Sequence, residues 1–220
     1  MKILVFSDSH LTLPFDQKQF RFIEGIVKPV DKVIINGDFW DGYVTKFERF
    51  VNSPWKHLFP LLKEKNAVYV FGNHDQERFA DARLALFSDV RTERYELPLD
   101  GKRYIFEHGH RLLPFGDGQD KKLRLSLKRS TRIADNLERV LINKAGARYQ
   151  RMFRKHNREI QDQLKDELEK NDIYLCGHTH SAEFNIKKQF INSGVIKHGL
   201  GQYVLLESKK APVLKQERYH

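Results

Sequence analysis

Short apolar runs alternate along the chain with longer stretches of mixed polarity. Five of the runs, Lys2–Phe6 (KILVF), Lys32–Ile35 (KVII), Ala67–Phe71 (AVYVF), Arg103–Phe106 (RYIF) and Ile173–Cys176 (IYLC), are rich in β-branched and aromatic residues. They are too short for helices and too uniformly apolar for a sheet with one wet face, so they predict strands covered on both sides. Between them, Phe15–Lys28 and Tyr43–Lys65 predict helices, the second interrupted around Pro54 and Pro60. Strands alternating with helices predict an α/β fold in which helices layer the sheets.

Beyond Ser181 the runs shorten. Phe184–Ile191, Tyr203–Glu207 and Val213–Gln216 predict strands of a second, more antiparallel sheet, with Asn192-Ser193-Gly194 as a turn. Gln119–Lys170 lacks any strand signal and predicts continuous helix. Within it Ile133, Leu137, Val140 and Leu141, and then Phe153, Ile160, Leu164 and Leu168, recur at helical spacing and mark two amphipathic faces.

The 220 residues suit one large domain, residues 1–220, with residues 119–170 as a helical insertion or lid within it. With 16 Phe and 8 Tyr, the composition excludes a disordered chain. The single cysteine, Cys176, cannot form an internal disulfide and reads as a core residue, which fits a reducing compartment. No stretch approaches the roughly 18 consecutive apolar residues of a membrane helix, and the first residues lack a signal-peptide pattern. A cytoplasmic protein is therefore expected.

The net charge of +10 is concentrated in one place. Residues 119–158 carry thirteen Lys or Arg against three Asp or Glu, while the remaining 180 residues are neutral. A cationic rim of this kind attracts an acidic partner. Nucleic acid bound through its phosphates is one candidate, and an anionic lipid at the membrane surface, met by basic amphipathic helices, is the other. A solvated helical hairpin covering a sheet edge would need neither.

Each of the five apolar runs is followed by a polar cluster of metal-ligand type: Asp8-Ser9-His10, Gly37-Asp38-Phe39-Trp40-Asp41, Gly72-Asn73-His74-Asp75, His108-Gly109-His110 and Gly177-His178-Thr179-His180. Groups beyond the carboxyl ends of parallel strands converge on one crevice, so clusters distant in sequence can meet there. Carboxylates, imidazoles and one amide oxygen, with no thiolate, suit Mn, Fe, Co, Ni or Zn. Two such ions can clamp both oxygens of a phosphoryl transfer.

The ordered blocks DSH, GDFWD, GNHD, HGH and GHTH resemble the calcineurin-like metallophosphoesterase superfamily. The resemblance implies a layered αββα sandwich of two mixed β-sheets flanked by helices, with a basic helical insertion before the last metal-ligand block. It implies that Asp8, His10 and His180 hold one divalent ion and Asn73, His108 and His178 a second, with Asp38 between them and Mn2+ as the leading candidate. It further implies that hydroxide held by the ions attacks phosphorus directly, and that His74 protonates the leaving group, oriented by Asp75. Asp41, His110 and His198 are candidate substrate contacts, and Arg148 and Arg151 candidate phosphate contacts.

The helical insertion between the HG and GHTH blocks is similar to that of UDP-diacylglucosamine pyrophosphohydrolases. This chain differs from them in having His74 and His110 where those enzymes carry Arg and Asp. The expected activity is hydrolysis of a phosphoester or phosphoanhydride in a large acidic substrate, a nucleotide-lipid pyrophosphate or nucleic acid. The alternative is a binding scaffold that keeps the fold without turnover. The sequence leaves the oligomeric state open.

Overall fold

The computed structural model describes residues 1–114 and 121–220, with the backbone alone over residues 121–128. The two-residue period of each apolar run decides the layering. In β1 (Lys2–Phe6), Ile3 and Val5 point to one face and Leu4 and Phe6 to the other. The same alternation continues in β2 (Lys32–Asn36) and β3 (Val68–Val70). One face of this sheet is sealed by Ile23 and Val27 of α1 (Gln17–Val27), Phe50 of α2 (Phe47–Val51) and Leu62 of α3 (Phe59–Glu64). Helix α1 begins where Asp16 caps it, accepting from the Lys18 and Gln19 N–H groups at 2.9 and 3.1 Å. The expected helix Tyr43–Lys65 is broken as its prolines require, into α2, a 3-10 turn at Pro54–Leu58 and α3.

Next come β4 (Val90–Thr92), β5 (Arg94–Leu99) and β6 (Lys102–Glu107), then α4 (Lys121–Ala145), a 3-10 stretch Gly146–Phe153, and α5 (Arg154–Leu164). The chain ends in β7 (Asp172–Cys176), β8 (Glu183–Asn185), β9 (Phe190–Asn192), β10 (Ile196–Lys197), β11 (Leu200–Glu207) and β12 (Val213–Arg218). The first sheet runs β10-β11-β1-β2-β3-β4, with β12 on β11, and the second runs β5-β6-β7-β9-β8. Strands β1 to β4 are parallel, as are β6, β7 and β9, while the remaining strands pair antiparallel. The sheets meet through Val5, Ile34 and Val70 on one side and Phe106, Leu175 and Ile191 on the other. On the far side of the second sheet, Ile160 and Leu164 of α5 bury against Ile105 and Tyr174, each stabilising the layer by about 1.5–3 kcal/mol. The four layers are helix, sheet, sheet and helix, the expected αββα sandwich.

Several expectations need correction. Tyr203–Glu207 and Val213–Gln216 lie in β11 and β12 and extend the first sheet, because β11 pairs with β1 in register Leu4↔Leu205. The second sheet joins β8 and β9, within the expected Phe184–Ile191, to β5, β6 and β7. Phe184–Ile191 is not one strand: Ile186–Lys188 turns as a 3-10 helix and Gln189 is left-handed (φ 54°), so β8 folds back on β9. Asn192 closes β9, and its Oδ1 accepts from the Gly194 N–H (2.9 Å) to make the turn after it. The helical insertion is not continuous, because Gly146 is left-handed (φ 56°) and a 3-10 stretch joins α4 to α5. Its first residues, Gln119 and Asp120, lie outside the described residues.

Candidate metal centre

The parallel strands of both sheets present their carboxyl ends to one crevice, and the five polar clusters occupy the loops there. Those loops are tight. Asp8, His10, Asp38, His178 and His180 all have left-handed backbones, with φ between 42° and 66°. For a non-glycine residue this conformation costs of order 1–3 kcal/mol, and packing must enforce it. Small residues make room. A Cβ on Gly177 would collide with Asp8 Oδ2 and the Ser7 hydroxyl, so Gly177 is needed for close approach rather than for a bend. A Cβ on Gly37, itself at φ 87°, would strike the His108 ring.

Each carboxylate turns an oxygen toward the histidines. Asp8 Oδ2 accepts from the Ser7 hydroxyl and from the His178 N–H (3.0 Å), which also reaches Oδ1 at 3.2 Å. Its Oδ1 lies 3.4 Å from His180 Nε2, 3.8 Å from His10 Nε2 and 3.9 Å from His108 Nε2. Asp38 Oδ1 accepts from the His74 N–H (2.8 Å), which leaves Oδ2 at 3.2 Å from His108 Nε2 and 3.6 Å from His10 Nε2. Asp8, His10 and His180 thus offer ligand atoms within 4.8 Å of one another, as do Asp8, Asp38 and His108. Asn73 joins them through its Oδ1, 2.9 Å from His178 Nδ1.

The imidazoles are oriented from outside. His108 Nδ1 donates to the Asn36 carbonyl (2.9 Å), and its buried Nε2 has Asp38 nearby but no well-formed hydrogen bond. His178 Nε2 donates to the Leu113 carbonyl (2.7 Å), turning the Nδ1 lone pair toward the Asn73 oxygen. Burial and the positive charge of His108 push the His178 pKa down to about 3, so the ring is neutral. The neutral ring has one proton for two acceptors, the Leu113 carbonyl and Asn73 Oδ1, and a cation at the second would satisfy both. Burial would also lower His108, but Asp38 and Asp8 outweigh it and lift its pKa to about 10. His180 is likewise lifted to about 10, with Glu138 overriding burial. Without a cation, the protonated His108 and His180 rings offset the charge of the ionised carboxylates. This donor set, oxygen and nitrogen without sulfur, fits divalent first-row ions.

His74 borders the cluster. Its Nδ1 is 3.2 Å from Asp41 Oδ2, and its ring packs edge-on against Tyr43 at 4.7 Å. Burial lowers its pKa, but Asp41 and then Asp38 raise it above the ordinary value. Asp75, the expected partner of His74, is engaged elsewhere. It accepts from the Asp38 (3.1 Å), Phe39 (2.7 Å) and Gly72 (2.7 Å) N–H groups and from the Tyr69 hydroxyl, bracing the Asp38 loop. Burial and the Asp38 charge push its pKa up to about 7.

His110 sits beside the centre, 5.7 Å from the His108 ring. His198 faces the next cleft, its Nε2 3.0 Å from Asp135 Oδ1. Arg148 and Arg151 line a surface cleft with Arg154, Gln216 and Ser181, and none of the proposed metal ligands lines it.

Three groups absent from the sequence-based site complete it. Glu138 of α4 places Oε1 2.7 Å from His180 Nδ1, Lys197 Nζ lies 2.8 Å from Glu138 Oε2, and the Tyr149 hydroxyl donates to Oε1 at 2.6 Å. Helix α4 also roofs a cavity of about 530 Å3 that opens on His74 and His178 and is walled by Tyr43, Leu137, Leu141 and Phe153. The sequence did hold a signal: Asp135 and Glu138 are two of the only three acidic residues in the basic segment.

Residues 1–210 match the family model for the calcineurin-like phosphoesterase superfamily domain. No curated protein sequence matches the chain. Among solved structures the fold is similar to that of an archaeal phosphodiesterase, with TM-score 0.51 and 20% identity over 98% of this chain and 99% of that one. Others are Vps29 of Entamoeba histolytica complexed with Zn2+ (TM-score 0.49, 14% identity, 99% of each chain) and the E. coli phosphoesterase YfcE (TM-score 0.48, 17% identity, 100% of each chain).

Proposed function

The chain belongs to the calcineurin-like phosphoesterase superfamily, and we propose that it is a two-metal phosphohydrolase acting on an amphiphilic phosphoester or phosphoanhydride. One observation carries the reading: Asp8 Oδ1 and Asp38 Oδ2 converge on His10, His108 and His180. Asp8, His10 and His180 would hold one ion, Asn73, His108 and His178 the other, and Asp38 would lie between. Mn2+ is the proposed metal. Bound there, the ions supply charge to draw in a phosphoryl group and acidity to make a nucleophile from water.

The remaining work falls to the chain. His74, its Nδ1 3.2 Å from the Asp41 carboxylate, keeps a proton beside the cluster for the departing oxygen. Tyr43 packs edge-on against that imidazole, and the α4 wall lines the cavity beside it.

An apolar moiety in the substrate is favoured by the cavity beside His74 and by Ile133, Leu137 and Val140, which stand exposed on α4. Arg129, Arg132 and Arg139 flank them, the composition of a helix that lies on an anionic lipid surface. Among the described residues no helix is long and apolar enough to cross a membrane. The proposed location is therefore the cytoplasm, peripheral to the membrane surface. A nucleotide-lipid pyrophosphate is the substrate class this suggests.

The test is a panel of substrates on metal-reconstituted protein: an aryl phosphodiester, a monoester, a cyclic nucleotide, single-stranded DNA and a micellar nucleotide-lipid pyrophosphate. Hydrolysis lost on chelation and in Asp38→Ala and His178→Ala, and fastest on the micellar substrate, is expected. Hydrolysis surviving in folded, metal-free ligand variants overturns the metal assignment. Preference for DNA overturns the lipid reading, and metal binding without turnover on any member identifies a scaffold.

A further inference from the structure

We propose that Glu138, carried into the site by the helical insertion, is a positioning residue that fixes His180, so that one of the two ions binds tightly only when α4 is docked. The proposal rests on the two-metal reading and adds to it a dependence of that centre on the insertion.

A neutral imidazole has one donor and one acceptor nitrogen, and the partner of the first decides where the second points. His180 Nδ1 is 2.7 Å from Glu138 Oε1. A proton donated there leaves the Nε2 lone pair facing His10 Nε2 at 3.1 Å and Asp8 Oδ1 at 3.4 Å, the proposed ligand side. Of the proposed histidine ligands, His108 and His178 are oriented by backbone carbonyls of the core, Asn36 and Leu113. His180 is oriented by a side chain from a helix forty-two residues away.

The Glu138 carboxylate is well enough braced for the task. Tyr149 supplies a hydroxyl at 2.6 Å, and Lys197 supplies a compensating charge at 2.8 Å. Lys197 Nζ also lies 2.7 Å from Asp135, one turn earlier on α4, and His198 bonds the same carboxylate at 3.0 Å. The triad Asp135, Glu138 and His198 could itself suggest a cation site. The Lys197 ammonium already stands among those oxygens, so its role is docking.

The two acids therefore divide the work. Asp135 anchors α4 without touching a proposed ligand, whereas Glu138 both anchors α4 and orients His180. Removing a partner of a ligating histidine typically costs 10–100-fold in metal affinity. Linkage makes the effect reciprocal: if docking favours the ion, the ion favours docking by the same factor.

The experiment is Mn2+ titration of the metal-free full chain by calorimetry for wild type, Glu138→Gln, Glu138→Ala and Asp135→Asn, with circular dichroism to establish folding. A parallel trypsin digestion follows cleavage at Arg129, Arg132 and Arg139 with and without Mn2+. Wild type is expected to bind two ions and gain protection of α4 on loading. Glu138→Ala should weaken one ion by about 10–100-fold, spare the other and lose the metal-dependent protection, Glu138→Gln, which keeps an acceptor oxygen for His180, should weaken it less, and Asp135→Asn should keep both affinities within about twofold. Two ions bound at wild-type affinity in Glu138→Ala, which leaves His180 no acceptor, overturn the proposal, as does an equal loss in Asp135→Asn, which would make Glu138 a mere anchor. Failure of wild type to bind a second ion would instead refute the two-metal reading itself.

Discussion

Both oxygens of Asp41 face partners: Oδ1 accepts from the Tyr43 and Val44 N–H groups at 3.0 and 3.2 Å, and Oδ2 lies 3.2 Å from His74 Nδ1 without a well-formed hydrogen bond. It therefore stabilises the protonated form of His74, whose pKa stands above 6.5 because Asp41 and Asp38 outweigh burial. A proton donor acts below its own pKa, so the rate falls as pH rises through that value. In Asp41→Asn the alkaline limb of the pH–kcat profile should move to lower pH and kcat should drop about 100-fold or more; an unmoved limb would remove Asp41 from this role. Asp75 predicts a different defect. An amide in its place turns a nitrogen toward the Phe39 N–H and the Tyr69 hydroxyl, so Asp75→Asn should cost the metal-free protein about 1–3 kcal/mol in urea unfolding. The sequence made both aspartates visible, since each follows a strand in a motif. It could not tell which would face the imidazole, because that depends on how the β2 and β3 loops pack.

Helix α4 shows how one element can serve three surroundings. Asp135 and Glu138 turn to the core, Leu137 and Leu141 wall the cavity, and Ile133 and Val140 stand 68% and 45% exposed. Exposed apolar residues add little to folding, so Ile133→Ser with Val140→Ser should change stability by no more than about 0.5 kcal/mol per site. If α4 meets lipid, the pair should slow hydrolysis of a micellar substrate about tenfold or more while sparing a small soluble ester. Equal slowing of both would count against the lipid surface. The period of this helix was legible, but the side to be buried was not, because its apolar stripe faces the cavity rim rather than the core. The strands were legible where both faces are covered, as in β1 and β7. Strand β5 was not, since Arg94–Leu99 alternates polar with half-buried residues and carries Pro98, which only an edge strand tolerates.

Across the whole molecule, the burial of Asp8 and Asp38 in one crevice sets up a competition between protons and metal ions. His108 and His180 are each raised to about 10 from an ordinary 6.5. A pKa raised by folding contributes stability that is fully present below the unfolded value and is lost as pH rises through the folded one. Metal-free protein should therefore lose thermal stability between about pH 6.5 and 10. Over the same range ions that replace those protons should gain affinity. Tm measured from pH 6 to pH 10 with chelator and with Mn2+ tests both, and a flat metal-free curve would contradict the competition. The α/β alternation was readable from strand periodicity, and the crevice and, through the family resemblance, the αββα layering from five motifs, whereas the pairing of β11 with β1 was not, because an apolar strand does not specify which edge it joins. The left-handed backbones at Asp8, His10, Asp38, His178 and His180 have a historical corollary. Glycine adopts that conformation without penalty, so replacing His178 by Gly should yield a more stable fold than replacing it by Ala. A lineage relieved of holding ions would be free to drift toward glycine at these five positions, gaining robustness as it lost its chemistry.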